Sequence, residues 1–187
     1  MRPPILAMTA PSDAAAASDG ELRRGSLDAG KAIGPSCAGL STDYLNRYSE
    51  VLMLIEMATE APDLADALRS WKAIDYRSYF AASGLRLASV ALAAYEALPA
   101  ERRLAFEKLV RAMDELAAMA VLALDLRDDP DTAAFVPVVT APIMHRLIAR
   151  ATSFLNSGGA EIEGDAAGEA QAAIDRLMAC VSPARAF

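Results

Sequence analysis

The sequence predicts an all-α protein, a compact helical bundle of five to seven helices behind a disordered N-terminal leader. Apolar residues make up 54% of the 187 positions and aromatic residues only 6%, with alanine as the main contributor and leucine and methionine prominent. This composition favours helix over sheet. Several segments repeat apolar residues at helical spacing, whereas the short apolar segment 135–139 is interrupted by Pro137 and makes a poor strand.

The chain divides into three predicted regions. Residues 1–34 contain Gly and Ser breaks, balanced charges and few large apolar side chains, which is typical of a disordered leader. Residues 35–182 are predicted to form the helical bundle. Residues 183–187 follow Pro183 and are predicted to be a short flexible tail.

The first helix is predicted over residues 42–60. Ser41 or Thr42 is suited to cap it, and Asp43 places a negative charge in the first turn, where the helix dipole favours it. At 100° per residue, six large side chains fall within an arc of about 120°. These core-facing residues are Tyr44, Leu45, Tyr48, Val51, Leu52 and Ile55.

Three further apolar residues of this helix, Met53, Leu54 and Met57, lie away from the core-facing stripe and near Arg47. Three large apolar side chains in water would be an unusual use of a helix face. Either later helices cover them or a protein partner does, and methionine is common at adaptable contacts. We therefore treat these three residues and Arg47 as candidate partner-binding residues.

Two short helices are predicted next, one opened by Pro62 and one capped by Asp75 and closed near Gly84. Six of the eleven aromatic residues lie between positions 44 and 80. Tyr and Trp with interleaved Arg are typical of a ligand pocket or an interface. Alternatively, the rings simply close the bundle, with their polar tips at the surface. The candidate pocket residues are Tyr44, Tyr48, Trp71, Tyr76 and Tyr79; Phe80 is the sixth aromatic.

Residues 85–98 are almost wholly apolar and are predicted to form a central, well-buried helix. Pro99 then opens a long helix over residues 100–126, in which Glu107 and Arg111 have the spacing of a favourable ion pair.

The following residues, 127–140, are predicted to be a connection broken by prolines. Two more helices are predicted over residues 141–156 and 166–180, the second capped by Asp165.

Charge and hydropathy exclude several classes of protein. The net charge is −7 and no run of Lys or Arg exceeds two, which disfavours nucleic-acid binding. The longest apolar run, residues 116–124, falls short of the roughly 20 residues that cross a bilayer, so no membrane contact is expected. The first residues lack a secretory pattern. We therefore expect a cytoplasmic protein with Cys37 and Cys180 reduced.

Catalytic and metal-binding motifs are missing from the sequence, including phosphate-binding glycine loops, paired metal-binding histidines and Cys/His clusters. We therefore predict no enzyme activity, no metal and no cofactor. Carboxylates that might suggest acid–base chemistry are interpreted as a solvated face. They are Glu50, Glu56, Glu60, Asp114 and Glu115.

The one histidine, His145, is predicted to project beyond the apolar arc of its helix, as a phospho-accepting histidine would. Histidine phosphotransfer domains typically carry Lys three residues and Gly four residues after that His, and here Ile148 and Ala149 stand at those positions. An ordinary surface or boundary histidine is the favoured interpretation.

The sequence thus predicts a non-enzymatic small regulatory or adaptor protein that acts through helix-face contacts with a protein partner or with itself. The alternatives are a histidine phosphotransfer protein using His145 and a small-molecule sensor with an aromatic-lined pocket.

Overall fold

The computed structural model describes residues 39–57, 65–126, 129–160 and 162–182. Over these ranges it contains one 3₁₀ turn, seven α-helices and no strand, which confirms the all-α prediction. The predicted leader, the predicted tail and Pro62 lie outside the described residues. The elements are the 3₁₀ turn Thr42–Leu45, α1 Asn46–Met57, α2 Ala65–Ser70, α3 Tyr76–Ala82, α4 Ala88–Glu96, α5 Ala100–Leu126, α6 Pro130–Asn156 and α7 Ala166–Val181.

The three longest helices, α5, α6 and α7, pack against one another, and α1 packs on α5 and α6. Side chains from all of them meet in one core, because each helix carries an apolar stripe that must be covered. The short helices α2 and α3 lie at the edge of this core, where α2 contacts α1 and α5 while α3 contacts α4. The largest fully buried side chains in α5, α6 and α7 are Phe106, Leu109, Met113, Leu116, Met144, Leu147, Phe154 and Leu177.

The start of the first helix follows the sequence prediction. Ser41 is extended, and its hydroxyl accepts a hydrogen bond from the Asp43 amide at 3.2 Å, as an N-cap does. The first turn is 3₁₀, and α1 continues from Asn46 to Met57. All six residues of the predicted core-facing stripe are buried. The prediction of that face is confirmed.

Side-chain caps also begin three later helices. The Asp75, Asp129 and Asp165 carboxylates accept from the amides of Ser78, Thr132 and Gly168 at 2.8–2.9 Å, each three residues on. The caps at Asp75 and Asp165 were predicted from the sequence. The bounds of α5 are also those predicted, because Pro99 stands immediately before its first residue.

The prediction that residues 85–98 form a central, buried helix is wrong. Helix α4 lies at the surface, with Val90 47% exposed and Leu87, immediately before the helix, 60% exposed, and it buries Ala91, Ala94 and Tyr95. Because the segment is apolar nearly all round, its sequence carries no periodicity that would show which side is covered.

The prediction of a proline-broken connection over residues 127–140 is also wrong. Helix α6 begins at Pro130, with Asp129 as its cap, and continues through Pro137 and Pro142. An internal proline costs roughly 3 kcal/mol because it lacks the N–H group and crowds the preceding turn. Burial of Val136 and Val139 against the core offsets this cost.

By length and composition alone, α6 is apolar enough to cross a membrane, and 33% of its most apolar window is buried inside the protein. A core helix of an ordinary bundle passes the same test. The expectations of a cytoplasmic location and of no membrane contact therefore stay predictions.

Candidate functional site

The predicted pocket aromatics form a packed cluster at the junction of the first helix with segment 71–80. Tyr44, Tyr48 and Tyr76 are buried, and Trp71 and Tyr79 are half-buried. Tyr44 lies at the centre, with ring centroids 5.3–5.7 Å from Tyr48, Tyr76 and Tyr79 in edge-to-face geometry. Such pairs add about 0.5–1.5 kcal/mol each beyond the area they bury. Most of these rings are therefore core, as the alternative interpretation expected, but the Tyr44 and Tyr48 hydroxyls are buried and not at the surface.

A chain of polar contacts runs through this cluster. The Tyr44 hydroxyl donates to the Ile74 carbonyl at 2.8 Å, and the Tyr48 hydroxyl donates to Asp114 Oδ1 at 2.7 Å. The two hydroxyl oxygens are 3.1 Å apart. The Tyr48 hydroxyl thereby connects α1 to α5.

Burial raises the pKa of the Asp114 carboxyl above its ordinary value, while the hydrogen bond from Tyr48 and the charge of Arg47 oppose that rise. Burial also raises the pKa of Tyr44 to about 12 and that of Tyr48 further. Both phenols therefore stay protonated at ordinary pH and act as neutral donors.

Arg47, predicted as a partner contact, is engaged within the protein. Its guanidinium lies 5.2 Å from the centroid of the Trp71 ring and donates to the carbonyls of Lys72 and Ile74, the latter at 3.1 Å. These contacts attach segment 71–75, which connects α2 to α3, to α1. Arg47 Nε and Trp71 Nε1 are buried without a hydrogen-bond partner.

Two hollows lie along one face of α5, where segment 71–77 runs beside it. The first has a volume of about 410 Å³ and the second about 460 Å³, and Asp114 lines both. We call the two together the Asp114 cleft. The first is lined by Arg69, Trp71, Lys72, Ala73, Asp114, Ala118, Val121, Leu122 and Asp125. The second is lined by Asp75, Tyr76, Arg77, Tyr95, Phe106, Glu107, Val110, Arg111 and Asp114.

Several charged groups of the cleft are already paired. Arg69 Nε lies 2.7 Å from Asp125 Oδ1, and Arg77 Nε lies 2.7 Å from Glu96 Oε1. The Tyr95 hydroxyl donates to Glu107 Oε1 at 3.0 Å, and Glu107 does not form the predicted ion pair with Arg111. Ion pairs thus compensate Arg69, Asp125 and Arg77, whereas Glu107 has no cationic partner within 4.0 Å in the described part of the chain.

Other charged side chains of the cleft form no ion pair with another described residue. Among the described residues, the Lys72 and Arg111 side chains take part in no hydrogen bond or ion pair within 4.0 Å. Asp114 uses only Oδ1, in its bond from Tyr48. No group of three or more His, Cys, Asp or Glu side chains in the described ranges is placed to hold a metal ion.

The candidate partner-binding residues of α1 are not all in the same environment. Leu54 is 6% exposed and is covered by the protein itself, whereas Met53 is 48% and Met57 40% exposed. The structure therefore covers one of the three apolar residues with its own helices and leaves two methionines in contact with solvent.

His145 is exposed, with 65% of its side chain accessible, and its Nε2 lies 3.6 Å from Glu56 Oε1. Exposure agrees with the expected surface position. The neighbouring carboxylate would repel a phosphoryl group brought to that nitrogen, because like charges at such distances disfavour each other. Phosphotransfer through His145 stays an untested prediction without further support from the geometry.

Sequence reasoning missed Asp114, which it assigned to a solvated face. In the structure Asp114 is half-buried, and Tyr48, 66 positions earlier in the chain, donates to it. The sequence does not single out Asp114, because the same face of α5 also carries Glu107, Arg111 and Asp125.

Comparisons of the chain with protein-family models, with curated proteins and with solved structures give no significant match.

Proposed function

We propose that this protein is a small regulatory protein that binds a small organic ligand in the Asp114 cleft. The observation that carries the proposal is Asp114 itself, a half-buried carboxyl with a raised pKa that lines both hollows. A concave site of about 300–1,000 Å³ with apolar walls, a few convergent polar groups and a perturbed titratable residue is the usual form of a small-molecule site.

The cleft is connected to the rest of the bundle through segment 71–77. This segment forms one wall, and Arg47 and the Tyr44 hydroxyl bind its carbonyls from the first helix. A ligand that contacts Trp71 and Asp114 would favour one arrangement of that segment, and it would thereby bias α1. Because α1 also carries Met53 and Met57 at the surface, a change in α1 on ligand binding would alter the surface that a protein partner contacts.

A thermal-shift screen of a broad metabolite library tests the proposal. A ligand present at a hundred times its dissociation constant adds about 2.7 kcal/mol to the free energy of unfolding. For a protein of this size, that raises Tm by about 5–11 °C. Ala118→Phe should abolish the shift, because Ala118 is an exposed residue that lines the first hollow and the larger ring would fill it.

Ala172→Phe is the matched control, since Ala172 is an exposed alanine of α7 that lines neither hollow. It should leave the ligand-induced shift unchanged. The proposal is wrong if no compound of the library raises Tm, or if every shift survives Ala118→Phe.

A second candidate function, an adaptor that contacts a protein partner or another copy through α1, is favoured by one observation. Met53 and Met57 lie one turn apart and are both open to solvent. Light scattering after size exclusion, together with a crosslinked pull-down, tests this function. Met53→Glu combined with Met57→Glu should remove association, and Leu87→Glu, at an exposed position immediately before α4, should not. Unchanged association in the double variant would rule the α1 surface out.

A further inference from the structure

We infer that the ligand of the Asp114 cleft is an amphiphilic monoamine, whose single ammonium group pairs with Asp114 and whose apolar body lies in the first hollow. The inference rests on the proposed function, because it names the chemical class that the same cleft would take. Three features of the cleft support it: an unpaired carboxylate, an apolar wall and the position of the remaining charges.

The first feature is the missing counter-ion of Asp114. No Lys or Arg nitrogen lies within 4.0 Å of its carboxylate, and Oδ2 has no hydrogen-bond partner among the described residues. Arg47 acts on Asp114 through its charge, but its two terminal nitrogens donate to backbone carbonyls of segment 71–75. A partly desolvated carboxylate is stabilised by a cation that brings its own hydrogens. A ligand ammonium supplies both.

The second feature is the wall of the first hollow. Beyond Asp114, α5 presents Ala118, Val121 and Leu122, and Trp71 also lines the hollow. Leu122 remains 44% exposed, so an apolar ligand body would remove it from water. Burial of such surface contributes about 25 cal/mol per Å². The far end is closed by the Arg69–Asp125 ion pair, which leaves no free charge for a second polar group.

The third feature limits the ligand to one positive charge. Lys72 lines the first hollow and Arg111 the second, and neither has a partner that would neutralise it. A second ammonium in the first hollow would therefore meet the uncompensated charge of Lys72. Asp125, the other carboxylate of that hollow, is already paired with Arg69. An anionic group at the position of the ammonium is disfavoured for a related reason, since Asp114 would repel it.

A charge series of otherwise similar molecules tests the inference. Isothermal titration with 3-phenylpropylamine, 3-phenylpropanol, 3-phenylpropionate and 1,6-diaminohexane compares one cation, a neutral isostere, an anion and a dication. We expect the monoamine to bind at least about tenfold more tightly than each of the other three, as a charge-assisted hydrogen bond in a partly buried site requires.

Asp114→Asn keeps the size of the side chain and removes its charge. This variant should lower the affinity for the monoamine by about tenfold or more and leave that for the alcohol within a factor of two. Glu115→Gln is the matched control, because Glu115 is the adjacent, exposed carboxylate of α5 and lines neither hollow of the cleft. It should change neither affinity. Circular dichroism of both variants verifies that they are folded.

The inference is overturned if the alcohol, the acid or the diamine binds as tightly as the monoamine, if Asp114→Asn leaves amine binding unchanged, or if none of the four probes binds at millimolar concentration. None of these results would refute the proposed function, which the library screen tests separately. If a ligand of another charge raises Tm and Ala118→Phe abolishes that rise, the cleft is a binding site and only the inference of an amine ligand is refuted.

Discussion

Replacement of Tyr48 by Phe tests the polar chain through the aromatic cluster. The variant removes one hydroxyl and keeps the ring, which is fully buried and lies 5.7 Å from Tyr44 and 6.2 Å from Trp71, centroid to centroid. The apolar contacts are therefore unchanged. The loss is confined to the hydrogen bond at 2.7 Å to Asp114 Oδ1 and to the contact with the Tyr44 hydroxyl.

The expected cost follows from the type of acceptor. A hydrogen bond to a charged group contributes about 1.5–3 kcal/mol, and its removal here leaves a half-buried carboxylate oxygen without a partner. The Tyr44 hydroxyl keeps its bond to the Ile74 carbonyl. We therefore expect Tyr48→Phe to lower the free energy of unfolding by about 2 kcal/mol, which corresponds to a decrease in Tm of about 4–8 °C.

Urea denaturation followed by circular dichroism measures this difference, and Tyr79→Phe is the control. The Tyr79 hydroxyl donates to the Asp43 carbonyl at 3.3 Å in an exposed position, so its loss should cost less than about 0.5 kcal/mol. The Tyr48→Phe effect should fall to about 1 kcal/mol in acid, where Asp114 is neutral and the bond has no charged partner. A loss below 0.5 kcal/mol at pH 7 would refute the hydrogen-bond chain.

Two other substitutions probe stability. Burial raises the folded-state pKa of Asp114, so the wild type loses stability as pH increases from the unfolded-state pKa to the folded-state pKa. Asp114→Asn should therefore match the wild type in acid and be more stable at pH 8. Urea denaturation curves at several pH values measure this difference. Asp75→Ala should behave oppositely, costing about 1 kcal/mol at pH 7 and less in acid, because hydrogen bonds from Ser78 lower the pKa of that cap. Parallel curves for either variant and the wild type would contradict the assigned shift.

Local chemistry explains the parts of the fold that the sequence predicted correctly. Ser41, Asp75 and Asp165 were recognisable as caps because a cap needs only a short polar side chain and an amide two or three residues on. Pro99 fixed the start of α5 in the same way. The buried stripe of the first helix was readable because polar residues occupy the rest of that helix.

The proline segment shows where local rules were insufficient. Pro137 and Pro142 each remove a backbone hydrogen bond, which on local grounds ends a helix. In the bundle, Val136, Val139 and Met144 are 0–2% exposed, and their packing against the core compensates for the missing bonds. The sequence around the two prolines does not indicate this compensation, because it depends on packing against distant parts of the chain.

The candidate site likewise has features that the sequence predicted and features that only the tertiary structure decided. From the sequence alone, the gathering of aromatic residues with interleaved arginines marked the correct region, and the helical spacing placed Tyr44 and Tyr48 on a buried face. Only the tertiary structure brought Tyr48 to Asp114 and laid segment 71–77 along α5, which made an apparently solvated acid the centre of a cleft. The physical reason is that burial of a carboxylate depends on which distant segment covers it, and that is decided by packing of the whole bundle.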